Sequence, residues 1–111
     1  MFRHFDGIAE TFWQQTSDGG AGAHSLTVTA ITARSIYCTG IQVSGDVTAT
    51  VTIESPVATI LWQVTYPAAF QDWVPFHEVP IEGASGEALV VKVSAATADS
   101  KISAQGFTGS G

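Results

Sequence analysis

The stretch Gly86–Phe107 reads Gly-Glu-Ala-Leu-Val-Val-Lys-Val-Ser, then a small-polar link, then Lys-Ile-Ser-Ala-Gln-Gly-Phe. It predicts a strand, a connection and a closing strand, taken together as a hairpin. Neither strand carries a reactive side chain. A chain that closes this way is building a sheet and a surface.

Working backward, the same period of two recurs. Val47, Ala49, Val51 and Ile53 alternate with Thr48, Thr50, Thr52 and Glu54. That pattern predicts a strand with one buried and one wet face. Leu26, Val28 and Ala30 alternate with Thr27 and Thr29 in the same way. Ile36–Val43 is a further strand candidate, interrupted at Gly40, where a bulge is expected. Ile60, Trp62, Val64 and Tyr66 share one face of another. Its other face holds Thr59, Leu61, Gln63 and Thr65, so both faces are partly apolar, as in a central or interface strand. Pro75 and Pro80 exclude a central strand over Phe70–Ile81 and leave an edge segment.

Short strands separated by turn residues, with no long helical period, predict an all-β fold. The connections are too short for helical crossovers, so pairing should be antiparallel. The expectation is one antiparallel β-sandwich over residues 25–111. Its order is open between jelly roll, Greek key and immunoglobulin-like. The immunoglobulin Cys, Trp, Cys pattern is absent.

Residues 1–24 read differently. Phe5, Ile8 and Phe12 have the spacing of a short helical turn. Ser17-Asp18-Gly19-Gly20-Ala21-Gly22 follows as a breaker. The segment either packs back on the domain or is an extended arm ending in a Gly-rich hinge. Its anchors Phe2, Phe5, Phe12 and Trp13 favour an arm that docks on a neighbour.

Composition narrows the function. Among 111 residues, 45% are hydrophobic and 13% charged. So few charges leave apolar surface uncovered, the usual mark of a partner interface. Four Lys and Arg stand against ten Asp and Glu, a net charge of −6. Arg3, Arg34, Lys92 and Lys101 are scattered, which disfavours phosphate backbones and anionic membranes alike. No apolar run approaches the ~20 residues of a membrane span. The start Met-Phe-Arg-His-Phe-Asp lacks a signal-peptide core. Cys38 is the single cysteine, expected as a buried filler in a chain made in a reducing cytoplasm.

Chemistry has little foothold. His4, His24 and His77 lack metal-ligand spacing. His77-Glu78 is the only adjacent imidazole and carboxylate, and on a strand the two point to opposite faces. Asp72, Glu78 and Glu82 suggest an acidic rim, without a calcium-loop pattern. No Gly-x-Ser-x-Gly elbow, phosphate loop or dinucleotide fingerprint occurs. The expectation is a non-enzyme with no cofactor, no metal and no small-molecule ligand. Trp62, Tyr66, Phe70, Trp73 and Phe76 form an aromatic cluster, read as core, subunit contact or sugar platform.

Three segments together resemble small β-sandwich virion proteins of tailed bacteriophages. They are Ser25-Leu26-Thr27-Val28-Thr29-Ala30-Ile31, Gly83-Ala84-Ser85-Gly86-Glu87-Ala88-Leu89-Val90-Val91 and Ser103-Ala104-Gln105-Gly106-Phe107-Thr108. A Leu-Thr-Val opening strand, a Gly-x-x-Gly-x-Ala-Leu lead-in and a Gly-aromatic-Thr ending recur in that group. Residues 1–24 match none of its patterns. The resemblance implies a capsid cement or decoration protein on the head exterior, with major capsid protein as partner and a homotrimer as its form. It carries no catalytic residues over. From the residues themselves, Phe2, Phe5, Phe12 and Trp13 are the expected capsid contacts. Leu61, Trp62, Tyr66 and Trp73 are the expected subunit contacts. A carbohydrate- or receptor-binding module, or a tail or head-fibre component, is the alternative.

Overall fold

The computed structural model describes residues 11–19, 22–76, 78–95 and 100–110. These hold nine strands: β1 Thr11–Gly19, β2 His24–Val28, β3 Arg34–Gly45, β4 Ala49–Glu54, β5 Ile60–Tyr66, β6 Phe70–Pro75, β7 Ile81–Glu82, β8 Leu89–Val93 and β9 Ser100–Ser110. One sheet has the order β1-β9-β3-β6, with β7 also on β3; the other has the order β2-β8-β4-β5. Every pairing is antiparallel.

Setting β7 aside, this order has a simple origin. β1 pairs β9, β2 pairs β8, β3 pairs β6 and β4 pairs β5. That is one long hairpin, folded over so that β9 also meets β3 and β8 also meets β4. The product is a two-sheet jelly roll, which decides among the orders that strand spacing leaves open.

The core is the inward face of each alternation. Ile36, Ile41 and Val43 of β3, Val51 and Ile53 of β4, Leu89, Val91 and Val93 of β8, and Ile102 of β9 are all buried. Each such side chain contributes about 1.5–3 kcal/mol by leaving water. Cys38 joins them as the expected filler; its thiol donates weakly to the Gly40 carbonyl at 3.6 Å. Burial pushes that thiol up to about 11, so it stays protonated. The bulge expected near Gly40 is present, as the β3–β9 register shifts between Cys38 and Gly40.

Three expectations change. Thr11–Gly19 is no arm or helical turn: it pairs residue by residue with β9 across its whole length. Phe12 and Trp13 therefore belong to the sandwich, whose first strand precedes residue 25. Phe2, Phe5 and Ile8 lie outside the described residues. The Gly86–Phe107 segment is not a hairpin, because β8 and β9 sit in different sheets. The strand with two partly apolar faces, β5, is an edge strand, so of its two readings, central or interface, the central one falls. The expected edge segment over Phe70–Ile81 holds: β6 is the outer strand of its sheet and ends at Pro75.

Candidate functional site

The jelly roll sorts its connections to two ends. At the end marked by Arg34 and Ser110 lie the β2–β3, β4–β5 and β7–β8 loops. Their backbone groups interlock. Gly86 N–H donates to the Arg34 carbonyl at 2.8 Å, and Gly83 N–H to the Ile36 carbonyl at 2.8 Å. Ala84 N–H donates to Ser55 Oγ at 3.0 Å, tying the β7–β8 loop to the β4–β5 loop. Ser55 N–H and the Thr59 carbonyl close that loop at 3.0 Å. Ala33 and Ala58 hold φ of 61° and 78°, a region costly for a residue with a Cβ. The bonded loops hold both residues there.

This braced end is apolar. Ile31, Val57, Ile60 and Leu61 are exposed in or beside its loops, and Phe12, 78% exposed, enters β1 at the same end. Val79, 76% exposed, sits on the link between β6 and β7 that leads toward it. Among the described residues the other large aliphatics are buried or half-buried, and these are left outside. A rigid apolar surface of this kind loses little entropy on docking.

Glu54 supports the end from beneath. Its carboxylate accepts from Ala58 N–H at 2.7 Å and from Thr52 Oγ1 at 3.0 Å, and pairs with Lys92 Nζ at 3.1 Å. The Ala58 bond, then Lys92 and Thr52, hold its pKa below the ordinary carboxylate range against the opposing effect of burial.

The aromatic cluster divides. Trp62 meets Phe76 edge to face, with centroids 5.4 Å apart. Tyr66 stacks on Phe70 at 4.3 Å, and its hydroxyl donates to Asp72 at 2.6 Å. These rings close the open side between edge strands β5 and β6, which share no backbone ladder. Burial, with Asp72 beside it, pushes the Tyr66 phenol up to about 12. Trp62 and Tyr66 are thus committed within the subunit. Leu61, by contrast, points outward. Trp73 lies on the outer face of the β1-β9-β3-β6 sheet, 46% exposed. Among the expected capsid contacts, Phe12 is open, whereas Trp13 packs against the core. Phe2 and Phe5 lie outside the described residues.

One constellation escapes sequence reading. His24 Nε2 lies 2.6 Å from Ser17 Oγ, and His24 Nδ1 lies 2.9 Å from Ser100 Oγ. The distances suit a nucleophile and base. Neither Ser17 nor Ser100, however, lines the grooves on the outer faces of the two sheets. The trio clasps β1, β2 and β9 where the chain changes sheets. No spacing rule finds it, because Ser100 comes from 76 residues away. Among the described residues no three His, Cys, Asp or Glu side chains gather as metal ligands. His77 of the His77-Glu78 pair lies outside the described residues.

No protein family, curated protein or solved structure matches the chain.

Proposed function

We propose that this protein is a structural, non-catalytic virion component, a capsid cement or decoration protein that bridges major capsid protein on the head exterior of a tailed phage. The observation that carries this reading is the braced end with its exposed apolar side chains: Ile31, Val57 and Ile60 in or beside the loops, and Leu61 and Phe12 on the outer faces of the two sheets near it. The resemblance of residues 25–108 to small virion β-sandwiches supplies the address. The two-sheet jelly roll is compatible with it, since capsid domains use this architecture, although fold alone fixes no function.

The mechanism is bridging. Each copy buries the apolar end against capsid protein or sister subunits in a homotrimer, at ~25 cal/mol per Å2 of apolar area before association costs. Repetition over a shell multiplies weak contacts through multivalency. The net charge of −6 suits solubility at high local density.

The test adds purified protein to undecorated capsids of the phage that encodes it. Wild type should bind and raise the temperature of capsid disruption. Leu61→Asp and Val57→Asp should fold but lose occupancy. Equal occupancy of the Asp variants would remove the apolar end from the proposal. No wild-type binding, with density on the tail in a particle reconstruction, would move the protein off the head.

A further inference from the structure

The outer face of the β1-β9-β3-β6 sheet carries a different chemistry from the apolar end. Register places Thr16, Ser103, Gln42 and Trp73 in one row across all four strands. Beside that row Lys101, Ser44 and Gln71 line up across β9, β3 and β6. The two rows enclose a groove of about 320 Å3, lined by Thr16, Gln42, Ser44, Gln71, Lys101 and Ser103 among others. On the other side of the Trp73 row, Gln14, Gln105 and Phe12 line a second depression of about 430 Å3. It leads to Tyr37 and Phe107, whose rings stack at 4.7 Å. At 3.4 Å per residue, the Ser103 and Phe107 rows stand about 14 Å apart.

Trp73 is held in place for contact. Its indole lies across Gly40, and a Cβ at Gly40 would sit 2.5 Å from Cη2 of the ring. Glycine there lets a large aromatic lie down on the sheet with 46% of its surface open to solvent. Half-exposed aromatic faces, planar amides and hydroxyls therefore share one strip. Among the described residues, Lys101 is the one charged side chain lining the two grooves, and Glu82 meets the Tyr37 hydroxyl at the strip's far end.

We infer that this strip binds a neutral oligosaccharide. Sugar C–H faces stack on Trp73 and on the Tyr37–Phe107 pair, while Gln42, Gln71 and Gln105 exchange hydrogen bonds with ring hydroxyls. The strip's own composition argues against other occupants. A nucleic-acid or acidic glycan site needs clustered Lys or Arg, which one lysine does not supply. A protein interface core also favours aromatics but is depleted in serine and lysine, whereas Ser44, Ser103 and Lys101 line this strip. The inference does not depend on the virion assignment, because the two surfaces share only Phe12.

The experiment uses the full chain on an array of neutral and acidic glycans. Titration with maltohexaose, cellohexaose and N-acetylchitohexaose follows, read by calorimetry and tryptophan fluorescence. Binding of at least one neutral glycan is expected. Trp73→Ala should weaken it about tenfold or more, and Gln42→Ala should weaken it measurably. Trp73→Phe, which keeps a ring, should retain part of it. If Trp73→Ala fails to fold by circular dichroism, the Gln42→Ala/Gln71→Ala pair gives the same discrimination. Absence of any neutral ligand, binding confined to acidic glycans, or affinity indifferent to these variants would overturn the assignment.

Discussion

At the residue scale, two glycines show how closely this sheet is packed. Gly40 makes room for an indole. Gly106 makes room for backbone: a Cβ there would overlap the Tyr37 carbonyl oxygen and press on Trp13 at 2.8 Å. Backbone cannot move aside as a flexible side chain can, and β9 is flanked on both edges by β1 and β3. Gly106→Ala is therefore expected to cost about 3 kcal/mol or more, as overpacking at an unyielding site does. A fall in the urea midpoint at unchanged slope would register it. A midpoint equal to wild type would mean that β3 and β9 are further apart than this packing implies. Gly106 also falls inside the Gly-aromatic-Thr ending that sequence reading singled out. Its close approach to Tyr37 gives a physical reason for glycine there.

At the element scale, the β4–β5 turn depends on one ionised carboxylate. Glu54 is lowered in pKa by the Ala58 N–H bond first and by Lys92 and Thr52 after it. A depressed folded pKa adds stability above the unfolded value and loses it as pH falls through the folded value. Melting temperature should therefore decline from about pH 4.3 downward. In Glu54→Gln this part of the acid dependence should be missing, at a cost near pH 7 of about 1–3 kcal/mol from partners left poorly bonded. Thermal melts of both proteins from neutral to acid pH check this, and parallel curves would show that Glu54 is not the titrating group. Strand β1 marks the limit of reading at this scale. Its residues Phe12, Gln14 and Thr16 face outward, and Trp13 and Ser17 turn inward, so polar and apolar types mix on both faces. An edge strand with one solvated margin can afford that mixture. What makes it a strand is its ladder with β9, bridged by Thr16 and Ser103, 87 residues apart.

For the whole molecule, the rolled hairpin predicts where the chain tolerates loss. The described ladders begin at Thr11, so removal of residues 1–10 leaves every described strand in the chain. Removal of residues 1–22, which a docking arm would tolerate, takes β1 away. It exposes the β9 edge and deletes Trp13 from its place against the core. That protein should melt lower and associate through the bared edge, as seen by thermal denaturation and size-exclusion chromatography. Equal stability of the two truncations would mean that β1 is dispensable.

Much of this architecture was present in local pattern. Alternation in β2, β4, β8 and β9, the Gly40 bulge and the proline-limited edge are consequences of side-chain period and backbone sterics within a few residues, so sequence alone determined them. It also determined the low charge and the single inert thiol. Tertiary structure decided the rest: the jelly-roll order, the capture of β1, the Ser17–His24–Ser100 clasp, and the split between sealed rings at Trp62 and Tyr66 and open ones at Phe12 and Trp73. The reason is range. Strand period is set by neighbours along the chain, whereas partner, sheet and exposure are set by residues far apart in sequence, brought together only when the hairpin rolls.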